Sequence, residues 1–198
     1  VYGSLAVLSG KKGNIDEMFE YLSHSTKLNP KYAEGHFNLG IIYLKKGDFD
    51  NAAHSFLNTI RIRPEDSNAL NMLGVAFFKK GNIKSSISYY SKAIELNPQN
   101  DKIYNNLAIA YSKSGNLEAA VLNYLKALKI DSNSFSTLFN LGRIYQQKGD
   151  LEKALETFEK IFKLKNVNSL DLVFNEIGIT FQKKEDFHSA IKLSLIHI

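Results

Sequence analysis

The sequence predicts an all-α protein built as an array of about five and a half antiparallel helix pairs. Gly13, Gly47, Gly81, Gly115 and Gly149 recur at a constant spacing of 34 residues. Pro30, Pro64 and Pro98 keep the same period. Within each period two segments place apolar residues three and four apart, the spacing that gathers them on one face of a helix.

Residues 33–66 show how one unit is specified. Leu39, Gly40 and Tyr43 share a face in the first segment, and Ala52, Phe56 and Ile60 share one in the second. Gly47 falls between them, where glycine tolerates the left-handed turn that ends a helix, and Asp48 favours the positive start of the next. Pro64 closes the unit, because proline cannot continue a helix and its fixed φ suits a short turn.

Alignment on the glycines gives one array over 1–192: a partial unit at 1–32, full units at 33–66, 67–100, 101–134 and 135–168, and a partial one at 171–192. Leu39, Leu73, Leu107 and Leu141 recur, followed by Gly40, Gly74, Ala108 and Gly142, then Tyr43, Phe77, Tyr111 and Tyr145. Ala52, Ser86, Ala120 and Ala154 recur in the second helices, with Phe56, Tyr90, Tyr124 and Phe158 four residues later. Small residues allow close approach of helices and the aromatics fill the remaining volume. This pattern resembles the tetratricopeptide repeat family over residues 1–192. The resemblance implies a right-handed superhelical solenoid with a concave groove lined by the first helices.

Departures from the pattern are local. Ser132 and Asn166 stand where prolines are expected, and extra residues around Val167–Leu170 shift the last unit to Phe174, Ile177, Gly178, Phe181 and Ala190. Glu185 takes the place of its turn glycine. Residues 193–198, Leu-Ser-Leu-Ile-His-Ile, break the pattern and resemble a translated sequencing adaptor, so they are set apart from the fold. Val1 opens directly within a unit, without an initiator methionine or a charged-then-apolar leader, and the expectation is a fragment of a longer protein.

With 44% hydrophobic and 23% charged residues in 198, the chain has the apolar mass for an ordered core. Zero cysteines exclude disulfides, thiolate metal sites and cysteine nucleophiles; a cytoplasmic chain is expected, while a periplasmic one fits too. No stretch reaches the roughly 20 apolar residues of a membrane helix.

The resemblance places repeat positions two, five, six, nine, twelve and thirteen on the concave side. Asn38, Asn106 and Asn140 occupy position six, and Asn71, Asn105 and Asn175 occupy position five. A carboxamide donates and accepts, so it can hold the backbone of an extended peptide whatever its side chains are. The run is similar to the asparagine ladder in the repeat arm of O-linked N-acetylglucosamine transferases. Asparagine at position six is also common in the family for structural reasons, and both readings stand. Lys45, Lys79, Lys113 and Lys183 at position thirteen, with Lys102 and Arg143, outweigh Glu34 and Glu176. This excess, with a net charge of +5, favours an acidic segment or a terminal carboxylate, although lysines also suit helix C-termini as a solvated rim. Phe37, Ile41, Phe78, Ile109 and Phe139 offer apolar pockets, or pack against neighbouring repeats. The lysine and asparagine positions that form a carboxylate clamp in chaperone-binding members of the family are occupied by other residues here.

His24, His36, His54, His188 and His197 show no metal-ligand spacing, and no phosphate loop, nucleophile elbow or carboxylate pair is present. Neither a cofactor nor a catalytic role is expected. Three classes follow: a scaffold that holds a peptide segment or partner helix in the groove; the substrate-docking arm of a larger glycosyltransferase or sulfotransferase; and a helical-repeat nucleic-acid binder. The last is disfavoured, because the tyrosines occupy core positions where bases cannot stack on them.

Overall fold

In this computed structural model, residues 2–164 and 170–185 are described, and every regular element among them is an α-helix. The chain divides into two compact units, Val1–Gln99 and Asn100–Ile198. The first holds α1 (Tyr2–Lys11), α2 (Ile15–Leu28), α3 (Ala33–Lys46), α4 (Phe49–Ile62), α5 (Ser67–Lys79) and α6 (Ile83–Leu96). The second holds α7 (Asp101–Lys113), α8 (Leu117–Ile130), α9 (Phe135–Lys148), α10 (Leu151–Ile161) and α11 (Leu170–Lys183).

The turn chemistry repeats with the sequence. All five period glycines adopt positive φ, between 77° and 88°, where a Cβ would be strained. Past Gly47, the Asp48 N–H reaches back to the Tyr43 carbonyl at 2.9 Å and closes α3. The Asp48 carboxylate then accepts from the Asn51 backbone N–H at 3.1 Å and from its side-chain amide at 2.7 Å. Those bonds hold its carboxyl below the usual aspartate range. Asn14, Asn82 and Asn116 cap α2, α6 and α8 in the same way, so each of these glycine turns is followed by a side chain that satisfies an orphan N–H of the next helix. α4 ends at Ile62, ahead of Pro64. α8 ends at Ile130 although Ser132 stands where a proline is expected. Glu185, at the position of the missing turn glycine, has φ 59°. Asn166, Ala190, His188, His197 and the 193–198 tail lie outside the described residues.

Buried clusters within each unit join its helix faces. In the first unit Ala6, Leu22, Leu39 and Ile42 form one cluster, and Ala52, Ala53, Phe56, Leu73 and Ala76 form another. In the second unit Ala108, Ala120, Tyr124, Leu141 and Ile144 form one, and Leu138, Ala154, Phe158, Ile161, Val173 and Ile177 form another. Every cluster draws on successive helix pairs, so a pair reaches full burial only against its neighbour. The small positions read from the sequence are contact points: a Cβ added to Gly40 would lie 2.6 Å from the Phe56 ring, and one at Gly74 2.6 Å from Tyr90.

Exposed ion pairs add a second link between consecutive pairs. Lys46 meets Asp16 at 3.1 Å, Lys148 meets Glu118 at 2.9 Å and Lys184 meets Glu152 at 3.2 Å; Lys80 also meets Asp50. Each joins the end of a first helix to the first turn of the preceding second helix. Lys46, Lys80 and Lys184 stand one position past lysines assigned to the groove and Lys148 one past Gln147, but their partners lie about 30 residues away and no local spacing marks them.

Candidate functional site

Within the second unit, α9 and α11 bring several of the predicted groove residues to one place. Asn140, Arg143 and Gln147 are spaced three and four apart and so share a face of α9. With Ile109 and Ser112 of α7 and Glu176, Ile179 and Lys183 of α11, they line an open recess of about 550 Å³. Arg143 Nε stands 3.3 Å from Glu176 Oε1. The Arg143 side chain is 59% exposed and that of Glu176 only 15%, so the carboxylate is held and the guanidinium keeps a solvent-facing side.

A buried amide sets this geometry. Gln146 Nε2 donates to the Glu176 carbonyl at 2.8 Å and to Thr180 Oγ1 at 2.6 Å, while Thr180 Oγ1 donates to the same carbonyl at 2.7 Å. α9 and α11 are thereby registered by hydrogen bonds made out of water, where a lost partner leaves an unsatisfied group. Sequence reasoning passed over Gln146, because a glutamine in a helix gives no signal until the facing carbonyl is known. Tyr124, 2% exposed, also lines the recess; burial pushes its phenol well above the usual range, with the Arg143 charge opposing the shift.

The remaining predicted residues are distributed. In the first unit Asn38 lines a smaller recess of about 140 Å³ with Glu34, Phe37, Arg63 and Asp66, and Arg63 Nη2 donates to Glu34 Oε1 at 3.0 Å. Asn71 is buried, at 6% exposure. Asn105 Oδ1 accepts from Thr137 Oγ1 at 3.4 Å, Asn106 is half-buried, and Asn175 is exposed. Lys45, Lys79, Lys102 and Lys113 are exposed. Of the apolar groove candidates, Phe37 lies 5.6 Å from the Phe56 ring and Phe139 lies 6.1 Å from Phe158, and Ile41 and Ile109 pack against the same unit's core. These side chains are packing partners of the aromatic core. Among the described residues no group of histidine and carboxylate side chains has metal-site geometry, and no helix is long and apolar enough to cross a membrane.

Family models described as Tetratricopeptide repeat match residues 21–64, 37–101, 89–121, 1–32 and 135–168, and one described as TPR repeat matches 110–149. The chain is a tetratricopeptide repeat protein. No curated protein sequence matches it. Its fold is shared with solved tetratricopeptide repeat proteins at low identity. MamA from Desulfovibrio magneticus RS-1 is similar at 22% identity and TM-score 0.78, over 85% of this chain and 95% of that one. PilF of Pseudomonas aeruginosa matches at 15% identity and TM-score 0.80, over 98% and 87%. YrrB, described as a tetratricopeptide repeat protein with an unusual peptide-binding site, matches at 21% identity and TM-score 0.72, over 88% and 89%. The right-handed helix-pair solenoid expected from the repeat pattern is the fold of this family.

Proposed function

We propose that this tetratricopeptide repeat protein is a non-catalytic, cytoplasmic interaction scaffold that holds an extended, acidic peptide segment, with the recess of the second unit as its principal contact. The observation that carries the reading is the convergence of Asn140, Arg143 and Lys183 on one open recess. Asn140 offers a donor and an acceptor to a peptide group. Arg143 and Lys183 supply two cations against the single carboxylate of Glu176, so the recess favours a ligand acid. Asn38, Asn105, Asn106 and Asn175, with Lys45, Lys79, Lys102 and Lys113, are secondary contacts along each unit, while the burial of Asn71 withdraws it from a ligand. The structural likeness to YrrB, whose description names a peptide-binding site, agrees with this use of the fold.

The test is a selection from a library of random peptides of about ten residues, followed by titration of the selected peptides with the parent chain and the Asn140→Ala/Arg143→Ala variant. Enrichment of Asp and Glu, with binding weakened in the variant and an unchanged melting temperature, supports the proposal. Selected peptides without acidic residues, or equal binding by both proteins, contradict it. Single-stranded RNA run in parallel is expected to show no tight, salt-sensitive binding.

A further inference from the structure

Position nine of the successive units is held by Ile41, Val75, Ile109, Arg143 and Ile179, a row in which Arg143 alone is charged. In the second unit α9 packs against both α7 and α11, so Ile109 and Ile179 flank Arg143 at matching positions of the two neighbouring helices. All three residues line the same recess. Ile109 packs on the core with part of its surface, and both isoleucines are only half-buried, so each keeps apolar surface uncovered beside the guanidinium. Glu176 takes the Nε edge of that guanidinium at 3.3 Å, which leaves the two Nη groups as an end-on fork for a second carboxylate.

Resting on the reading of this recess as a peptide contact, we propose that the segment it selects carries one acid with an apolar side chain three residues before it and another three residues after it. Packed helices lie about 8–10 Å apart, and an extended chain advances about 3.3 Å per residue. A peptide that crosses the first helices therefore meets a new one about every three residues. With its acid on the Nη fork of Arg143, its two apolar side chains fall on Ile109 and Ile179. The pattern is symmetric, so it holds whichever way the peptide runs. The recess sets two cations, Arg143 and Lys183, against the one carboxylate of Glu176. That leaves a net of one positive charge, which a single ligand acid neutralises, and a second acid gains little. Apolar side chains at the flanking positions gain more, because they cover surface the isoleucines leave to water. Specificity thus lies in the spacing of apolar and acidic residues and not in bulk negative charge.

The probes are four fluorescein-labelled peptides with blocked ends, titrated into the whole chain and followed by anisotropy: Leu-Ser-Ser-Glu-Ser-Ser-Leu, its isomer Ser-Ser-Leu-Glu-Leu-Ser-Ser, the triacid Glu-Ser-Ser-Glu-Ser-Ser-Glu, and the apolar Leu-Ser-Ser-Leu-Ser-Ser-Leu. The spaced peptide is expected to bind about tenfold more tightly than its isomer or the triacid, the effect of partly burying two leucines. Ile179→Ser is expected to weaken the spaced peptide about fivefold. Arg143→Leu completes the apolar row and is expected to switch the preference from the spaced peptide to the apolar one, a gain that an unfolded variant cannot show. Equal binding of the spaced peptide and its isomer, tighter binding of the triacid, or no switch in Arg143→Leu overturns the spacing. In those cases a triacid that binds the parent and is weakened by Asn140→Ala/Arg143→Ala leaves the acidic-peptide reading standing. No binding of any acid-bearing peptide overturns both.

Discussion

Gly142 lies under the ring of Phe158: a Cβ built on the glycine would stand 2.4 Å from the ring's Cε1 and 2.7 Å from its Cζ. Phe158 is fully buried in the cluster it shares with Ile161 and Val173, so the ring has nowhere to withdraw. Mid-helix alanine is ordinarily favoured over glycine by about 1 kcal/mol. Overpacking costs about 1–3 kcal/mol and wins at this separation. Gly142→Ala is therefore expected to lower the chemical-denaturation stability of the second unit, and a stabilised variant would contradict the packing.

Leu107 is 5% exposed in α7. Leu107→Ala removes a core side chain, at an expected cost of about 2–5 kcal/mol. Thermal melts followed by circular dichroism check it; an unchanged midpoint would contradict the register of the repeats.

Glu185 holds φ 59° where the other turns use glycine. Glu185→Gly removes the strain of a left-handed non-glycine residue, and a gain of about 1 kcal/mol is expected. Loss of stability would mean that the glutamate side chain supplies more than its backbone costs.

The Glu118 carboxyl is held below its ordinary value by the hydrogen bond from Lys148, and Asp48 is lowered by Asn51. A folded-state pKa below the unfolded one stabilises the fold above the unfolded value and loses that stabilisation as pH falls through the folded one. Melting temperature is thus expected to decline as pH drops below about 4.5, the ordinary glutamate value. Glu118→Gln should flatten the decline. A melting temperature that rises on acidification would contradict this sign.

The helix-pair plan was legible because its determinants are local and periodic: turn glycines, the small-and-aromatic seam, and proline stops. The candidate site was legible only in part. Asn140 and Arg143 share a helix face by spacing alone, so their meeting could be read. The contribution of Gln146 depends on the carbonyl of Glu176 about 30 residues away, and the burial of Asn71 depends on packing around α5; neither leaves a trace in local sequence. The recurrent Asn caps after Gly13, Gly81 and Gly115 were readable in principle, since they repeat the Gly-Asp step of residues 47–48 with an isosteric side chain.

The most direct test of the scaffold proposal is a photo-reactive benzoylphenylalanine placed at residue 147, on the rim of the recess beside Asn140 and Arg143, with a control at exposed Leu122, in the presence of the strongest acidic peptide from the library. The account predicts covalent capture of the peptide at 147, competed by unlabelled peptide and reduced by high salt, and none at 122. Equal capture at the two positions, or capture at 122 alone, would contradict it.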